Sequence, residues 1–162
     1  MYRGKCYVLF RLIHNLGNRM CMSSSDKHVR SLYAASKTAT NWFCSVSIAK
    51  TPSEWKKRGG LDDAGTGSVY VFYGAHDSAL YVGQTNRSLK QRALYQKSRH
   101  YVAPWWNNWK TVRFLNITNE TDRLALELLL ILDLLPKHNK KPGARAMNDM
   151  LSSLTSRSRS TR

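Results

Sequence analysis

Acidic side chains are scarce in this chain: 10 Asp and Glu stand against 26 Lys and Arg in 162 residues, a formal charge of +16. That imbalance favours a polyanionic partner, above all nucleic acid, because each phosphate neutralised by a basic side chain releases counterions. A merely solvated basic surface or attraction to a membrane is the plainer reading of the same numbers. Cysteine is also sparse. Cys6, Cys21 and Cys44 are odd in number, widely spaced and without a C-x-x-C pair. They argue against a zinc site or a disulfide framework and for reduced thiols in a cytoplasmic, intracellular setting. Long apolar runs are missing as well, which argues against a membrane-spanning helix and for no membrane partner. The stretch Cys6 to Leu16 has the length of a signal core, but Arg11, His14 and Asn15 interrupt it and no small-residue cleavage pattern follows. Met22-Ser23-Ser24-Ser25-Asp26 reads as an ordinary N-terminus, so residues 1–21 are expected to be dispensable for folding and activity.

The basic excess is distributed. Residues 1–66 hold 11 basic and 4 acidic groups, residues 67–145 hold 12 and 5, and residues 146–162 hold 3 and 1. The folded part is therefore itself expected to be electropositive. The length suits one domain with an extension too small to fold alone. Residues 1–66 read as a mainly helical basic extension, 67–145 as the main module and 146–162 as a disordered Ser/Arg-rich tail.

Ser25 or Asp26 is positioned to cap a helix running to about Phe43, with Val29, Leu32, Tyr33, Ala39 and Phe43 at helical spacing and Ser36 as a polar interruption. Ser45 to Ile48 reads as a short extended piece. Thr51-Pro52-Ser53-Glu54 combines a capping box with proline in the first turn, opening a short helix that ends at Gly59-Gly60. Leu61 to Gly67 reads as a flexible link. Two apolar runs around Ser68-Val69-Tyr70 and Tyr81-Val82-Gly83 then predict a hairpin. A helix capped by Asn86 or Ser88 runs to about Lys97, an aromatic loop spans Arg99 to Asn108, and a strand covers Thr111 to Ile117. A last helix, Glu120 to Leu134, is capped by Thr118 or Asn119 and stopped by Pro136. The order β-β-α-β-α implies an α+β fold: a small three-stranded antiparallel sheet flanked by helices.

Four residue types stand out chemically. Arg92, inside the first module helix, can hold a phosphate bidentately or bind charge developing on it. Glu127 lies in the most apolar stretch, Leu124 to Ile131, where a carboxylate is costly unless paired or bound to metal. The alternative for it is a solvated ion-pair face with Arg123 and Glu120. Tyr70 and Tyr81 are poor bases unless nearby cations lower their pKa from about 10; plain strand packing is the simpler reading of each. His100 and His138 read as exposed loop histidines.

Taken together, the two tyrosines, the following Arg92, the helical Glu127 and Pro136-Lys137-His138-Asn139 resemble the GIY-YIG nuclease family over about residues 67–139. The resemblance implies an endonuclease that hydrolyses DNA phosphodiesters with a single Mg2+ or Mn2+. Tyr70 and Tyr81 would line the active site, Arg92 would contact the scissile phosphate, Glu127 would bind the metal and Asn139 would close the motif set. Two departures are visible. The glycine expected before Val69 is Ser68, with Gly67 one position earlier, and the His or Tyr common one turn after the arginine is Gln96, for which Tyr95 is the substitute and candidate proton relay. A shared groove further implies Tyr70 paired opposite Tyr81 across a four-residue loop, Gly74 to Asp77. Lys90, Lys97, Arg99 and Arg113 would bind flanking phosphates. Trp105 and Trp106 would stack on an exposed base or else pack against the third strand. The rival readings are an inactive DNA-binding module of the same fold and a basic RNA-binding protein. Oligomeric state is not legible.

Overall fold

The computed structural model of the chain describes residues 24–57, 66–94 and 98–139. They build an α+β fold in the order α1 (Ser24–Val46), β1 (Ile48–Lys50), α2 (Pro52–Lys56), β2 (Thr66–Tyr73), β3 (Ala79–Ser88), α3 (Leu89–Leu94), β4 (Thr111–Asn116) and α4 (Glu120–Leu134). The sheet is antiparallel and has four strands, ordered β1-β4-β2-β3, rather than the expected three. The additional strand overlaps the extended piece expected at Ser45 to Ile48 only at Ile48, because α1 runs on to Val46 rather than ending near Phe43. Ile48, Ala49 and Lys50 pair with Phe114, Arg113 and Val112. Three residues are too few to show a two-residue hydrophobic period, so only pairing with β4 reveals them as a strand. Residues 1–23, 58–65 and 140–162 lie outside the described residues, and with them the expected dispensable start, the Ser/Arg tail and most of the link expected at Leu61 to Gly67. The last two residues of that link, Thr66 and Gly67, are instead the start of β2, paired to Ser88 and the end of β4.

The two faces of the sheet bury different cores. Val69, Val71, Tyr73, Ala79 and Val82 face α1 and α4, packing with Phe43, Leu126, Leu130 and Ile131. Tyr70, Phe72, Val112 and Phe114 face the other way, into an aromatic core with Trp55, Trp105, Trp106, Trp109, Leu80 and Leu89. This is the alternation that the pleat imposes on β2 and β4. The segment before residue 58 thus supplies α1, an edge strand and Trp55 to the same sheet and cores as the segment after it. Ser36, the polar interruption of the α1 stripe, is buried at 0 % exposure and donates its hydroxyl to the Tyr33 carbonyl at 2.7 Å, which makes a hydroxyl tolerable there.

Local signals set most helix ends. Thr51 and Glu54 form the reciprocal capping box of α2, with Pro52 in its first turn. That helix stops at Lys56, short of Gly59. Asn119 caps α4 through the amides of Thr121 and Asp122. Leu135 ends it in the left-handed region at φ 47°, just before Pro136. Ser88 accepts from the Gln91 amide at the start of α3, which is described only to Leu94. Among the described residues no helix is long and apolar enough to cross a membrane.

Candidate active site

The hairpin register places the two tyrosines on one face, but two residues out of the expected alignment. Tyr70 pairs with Gly83, and Tyr81 with Phe72. A shift of two preserves the face, whereas a shift of one would have reversed it. The phenols therefore sit diagonally, with ring centroids 6.3 Å apart and planes at 27°. The loop between the strands is a 3-10 turn, Ala75–Asp77, in which His76 and Asp77 take positive φ. The register explains the glycine of Tyr81-Val82-Gly83. A Cβ on Gly83 would lie 2.7 Å from Tyr81 Cε1 and 2.8 Å from both Cζ and the hydroxyl of Tyr70. Tyr70 lies across the bare backbone of its partner residue.

The departure at Ser68 also has a local cause. Gly67 stands at the pairing irregularity between Thr66 and Ser68 with φ +83°, a conformation glycine adopts without steric cost. A Cβ there would meet the Ile117 carbonyl at 2.8 Å and the Arg123 guanidinium at 2.9 Å. Ser68, opposite Asn116, donates its hydroxyl to Asn116 Oδ1 at 2.9 Å.

Burial works against tyrosine ionisation. Tyr70 is fully buried and Tyr81 half-buried. Desolvation pushes the Tyr70 pKa well above that of an ordinary phenol, Tyr81 adds to the rise, and the Arg92 guanidinium only partly opposes it. Tyr81 is raised too, first by desolvation and then by the Glu127 carboxylate, against Arg92 and Arg99. Among the protein groups, loss of water outweighs Arg92 at both phenols. With these groups both phenols keep their protons at neutral pH.

His100, expected to be an exposed loop histidine, is instead buried. It is 3 % exposed, and its Nε2 shares a 3.0 Å hydrogen bond with the Tyr70 hydroxyl. Its ring meets Tyr81 edge-on at 4.8 Å and Trp105 at 5.9 Å. Desolvation first, and Arg92 second, lower its pKa to about 4, so it is neutral at pH 7. Thirty residues separate His100 from Tyr70, and the aromatic density of Tyr101 to Trp109 is the only sequence signal that the loop folds inward. Tyr95, expected in this role, and Lys97 lie outside the described residues.

Arg92 is exposed in the last turn of α3, and its charge acts on Tyr70, Tyr81 and His100 alike. Glu127 is 4 % exposed on α4, and its charge raises both phenol pKa values. Arg123 is buried as well, donating to the carbonyls of Ile117 and Thr118 and to Gln84 Oε1. The alternative of a solvated Glu120–Arg123–Glu127 face is thereby excluded. No group of three or more His, Cys, Asp and Glu suited to a metal occurs among the described residues. A single carboxylate such as Glu127 suits Mg2+, which keeps several waters and takes further ligands from substrate phosphate.

Asn139 has a structural position. Its Oδ1 accepts from the Val82 amide at 2.9 Å and its Nδ2 donates to the Val82 carbonyl at 2.8 Å. The Lys137 and His138 amides donate to the Ala79 and Leu80 carbonyls. The Pro136-to-Asn139 segment thus covers the outer edge of β3 between the two motif positions Tyr81 and Gly83, and Asn139 is a positioning residue. His138 stacks on Trp105 at 6.2 Å, and Trp105 stacks on Tyr81 at 5.4 Å and 11°. Trp105 is therefore packed inside a ring column rather than free to receive a base. Lys90 and Arg99 are exposed. Arg113 is not with them: it alternates to the opposite face, where its guanidinium holds the Cys44 carbonyl and Ser47 Oγ.

No protein-family model, no curated protein and no solved structure matches this chain.

Proposed function

We propose that the chain is a divalent-metal-dependent endonuclease that hydrolyses DNA phosphodiesters at the face formed by Tyr81, Arg92 and Glu127. The observation that carries this reading is convergence. Groups from β2, β3, α3 and α4 meet at the tyrosine pair: the charges of an exposed arginine, Arg92, and a buried carboxylate, Glu127, both act on Tyr70 and Tyr81. Arg92 is placed to grip a phosphate oxygen and to bind the charge added in the transition state. Tyr81, half-buried and protonated, accepts a hydrogen bond from the attacking water at its phenol oxygen and so orients it. Tyr70 and His100 form an uncharged buried pair beside it, with His100 Nε2 3.0 Å from the Tyr70 hydroxyl. A divalent ion held by Glu127 would polarise a phosphoryl oxygen and offset charge on the leaving oxygen. Lys90 and Arg99 add contacts to flanking phosphates that carry no sequence information.

The complete burial of Tyr70 favours one second reading, a DNA-binding module of the same fold without cleavage. A plasmid-nicking assay separates the two. The wild type is expected to nick in Mg2+ and not in EDTA, with Glu127→Ala and Arg92→Ala each slower by about a hundredfold or more. Salt-sensitive binding without nicking establishes the inactive module. Equal cutting by all three proteins overturns the site assignment.

A further inference from the structure

Beside the tyrosine column lies a hollow of about 340 Å3 that the proposed chemistry does not use. Its walls are Trp55, Trp106, Trp109 and Tyr101, with Lys56 and Asn107 at its polar side. The volume lies in the range of small-ligand pockets, roughly 300–1,000 Å3. Three of the walls are rigid: Trp55, Trp106 and Trp109 are at most 9 % exposed and pack on Phe72 and on each other. The fourth is adjustable. Tyr101 is 45 % exposed and leans over Trp106 with ring centroids 6.1 Å apart. The indole N–H of Trp55 is buried with no hydrogen-bond partner among the described residues.

Aromatic walls of this kind accept either a cation or a planar uncharged ring. Charge decides between them. Lys56 lines the hollow, Lys57 follows it, Lys110 adjoins Trp109, and all three are exposed. The neighbouring Glu54 carboxylate is engaged by the Thr51 amide and hydroxyl. A cationic guest is repelled, whereas a neutral ring carried on an anionic backbone is attracted. Position adds to this. Trp106 meets Trp105 at 5.9 Å, and Trp105 meets Tyr81 at 5.4 Å. The hollow thus adjoins the tyrosine column through two successive ring contacts.

We propose that this hollow is a subsite for a single unpaired nucleobase of the DNA strand, stacked on Tyr101 with its phosphate against Lys56. A paired base has both faces covered in the duplex and cannot enter without being unstacked. The subsite would therefore select bulged, flapped or frayed DNA over uniform duplex. This inference rests on the nuclease reading for its substrate, but its test needs no cleavage.

The test uses the full chain in EDTA with two duplexes of equal length, one carrying a single 2-aminopurine bulge and one carrying the same base paired. The bulged duplex is expected to bind on the order of tenfold more tightly, with its fluorescence quenched. Tyr101→Ala should abolish both the preference and the quenching while leaving affinity for the paired duplex unchanged, and Tyr101→Phe should retain all three. Equal binding of the two duplexes, or a preference that survives Tyr101→Ala, overturns the subsite. A protein that prefers the bulge in EDTA but never nicks in Mg2+ keeps the subsite and loses the nuclease. One that nicks but shows no preference does the reverse.

Discussion

Tyr70 is caught between two demands, since a buried hydroxyl needs a polar partner while its ring belongs to the core. His100 meets both, accepting or donating at Nε2 while presenting an uncharged ring to Tyr81 and Trp105. The arrangement has a measurable cost in acid. His100 has a folded-state pKa of about 4 against an ordinary 6.5, so between those values the unfolded chain binds a proton that the folded chain does not. Stability is then unaffected by this group above pH 6.5, declines as pH falls toward 4, and levels off below. The total loss is roughly 3 kcal/mol. Urea unfolding at pH 7 and 4.5 should show a steeper decline for the wild type than for His100→Gln, and parallel declines would remove the buried neutral histidine. The tyrosine pair, Arg92 and Glu127 are legible in the sequence because each sits in a periodic element whose face can be counted. His100 is not, because an irregular loop has no period and its burial depends on Phe72 and Trp105 from other parts of the chain.

Among the elements, β3 lies at one end of the sheet order, and an uncovered edge invites pairing with another chain. The Pro136-to-Asn139 segment closes it, and Asn139 stands in for a strand residue by bracketing both polar groups of Val82. Asn139→Ala should leave those groups without that partner and cost about 1–3 kcal/mol, together with lost hydrogen-exchange protection at the Val82 amide. Unchanged protection there would sink the edge-covering role. Helix starts were far easier to foresee than this contact. Thr51 with Glu54, and Asn119 with the amides two and three residues on, act within a single turn, so their chemistry is complete in the local sequence. The side chain of Asn139 reaches a strand 57 residues earlier, and nothing near it in the chain announces that partner.

Across the whole molecule, charge is the property with the longest reach. An excess of +16 predicts that the logarithm of DNA affinity falls linearly with the logarithm of salt, with a slope of about −0.9 for each phosphate contact. Lys90→Ala and Arg99→Ala should each make the slope shallower by about one contact. Arg113→Ala should leave it unchanged and lower stability instead, because that guanidinium ties α1 to β4 on the opposite face. A slope that responds to Arg113 as it does to Arg99 would put the DNA on the wrong side of the sheet.

Composition and local pattern by themselves determined the basic character, the α+β class, the caps of α2 and α4 and the order of the tyrosine, arginine and glutamate positions. Each of these depends on side chains within one or two turns of one another. Tertiary structure alone decided the fourth strand, the two-residue register offset that lays Tyr70 over Gly83, the inward fold of His100 and the separation of Arg113 from the other basic groups. These outcomes come from pairing and packing between segments tens of residues apart, where desolvation and steric fit outweigh any preference written into a local stretch of chain.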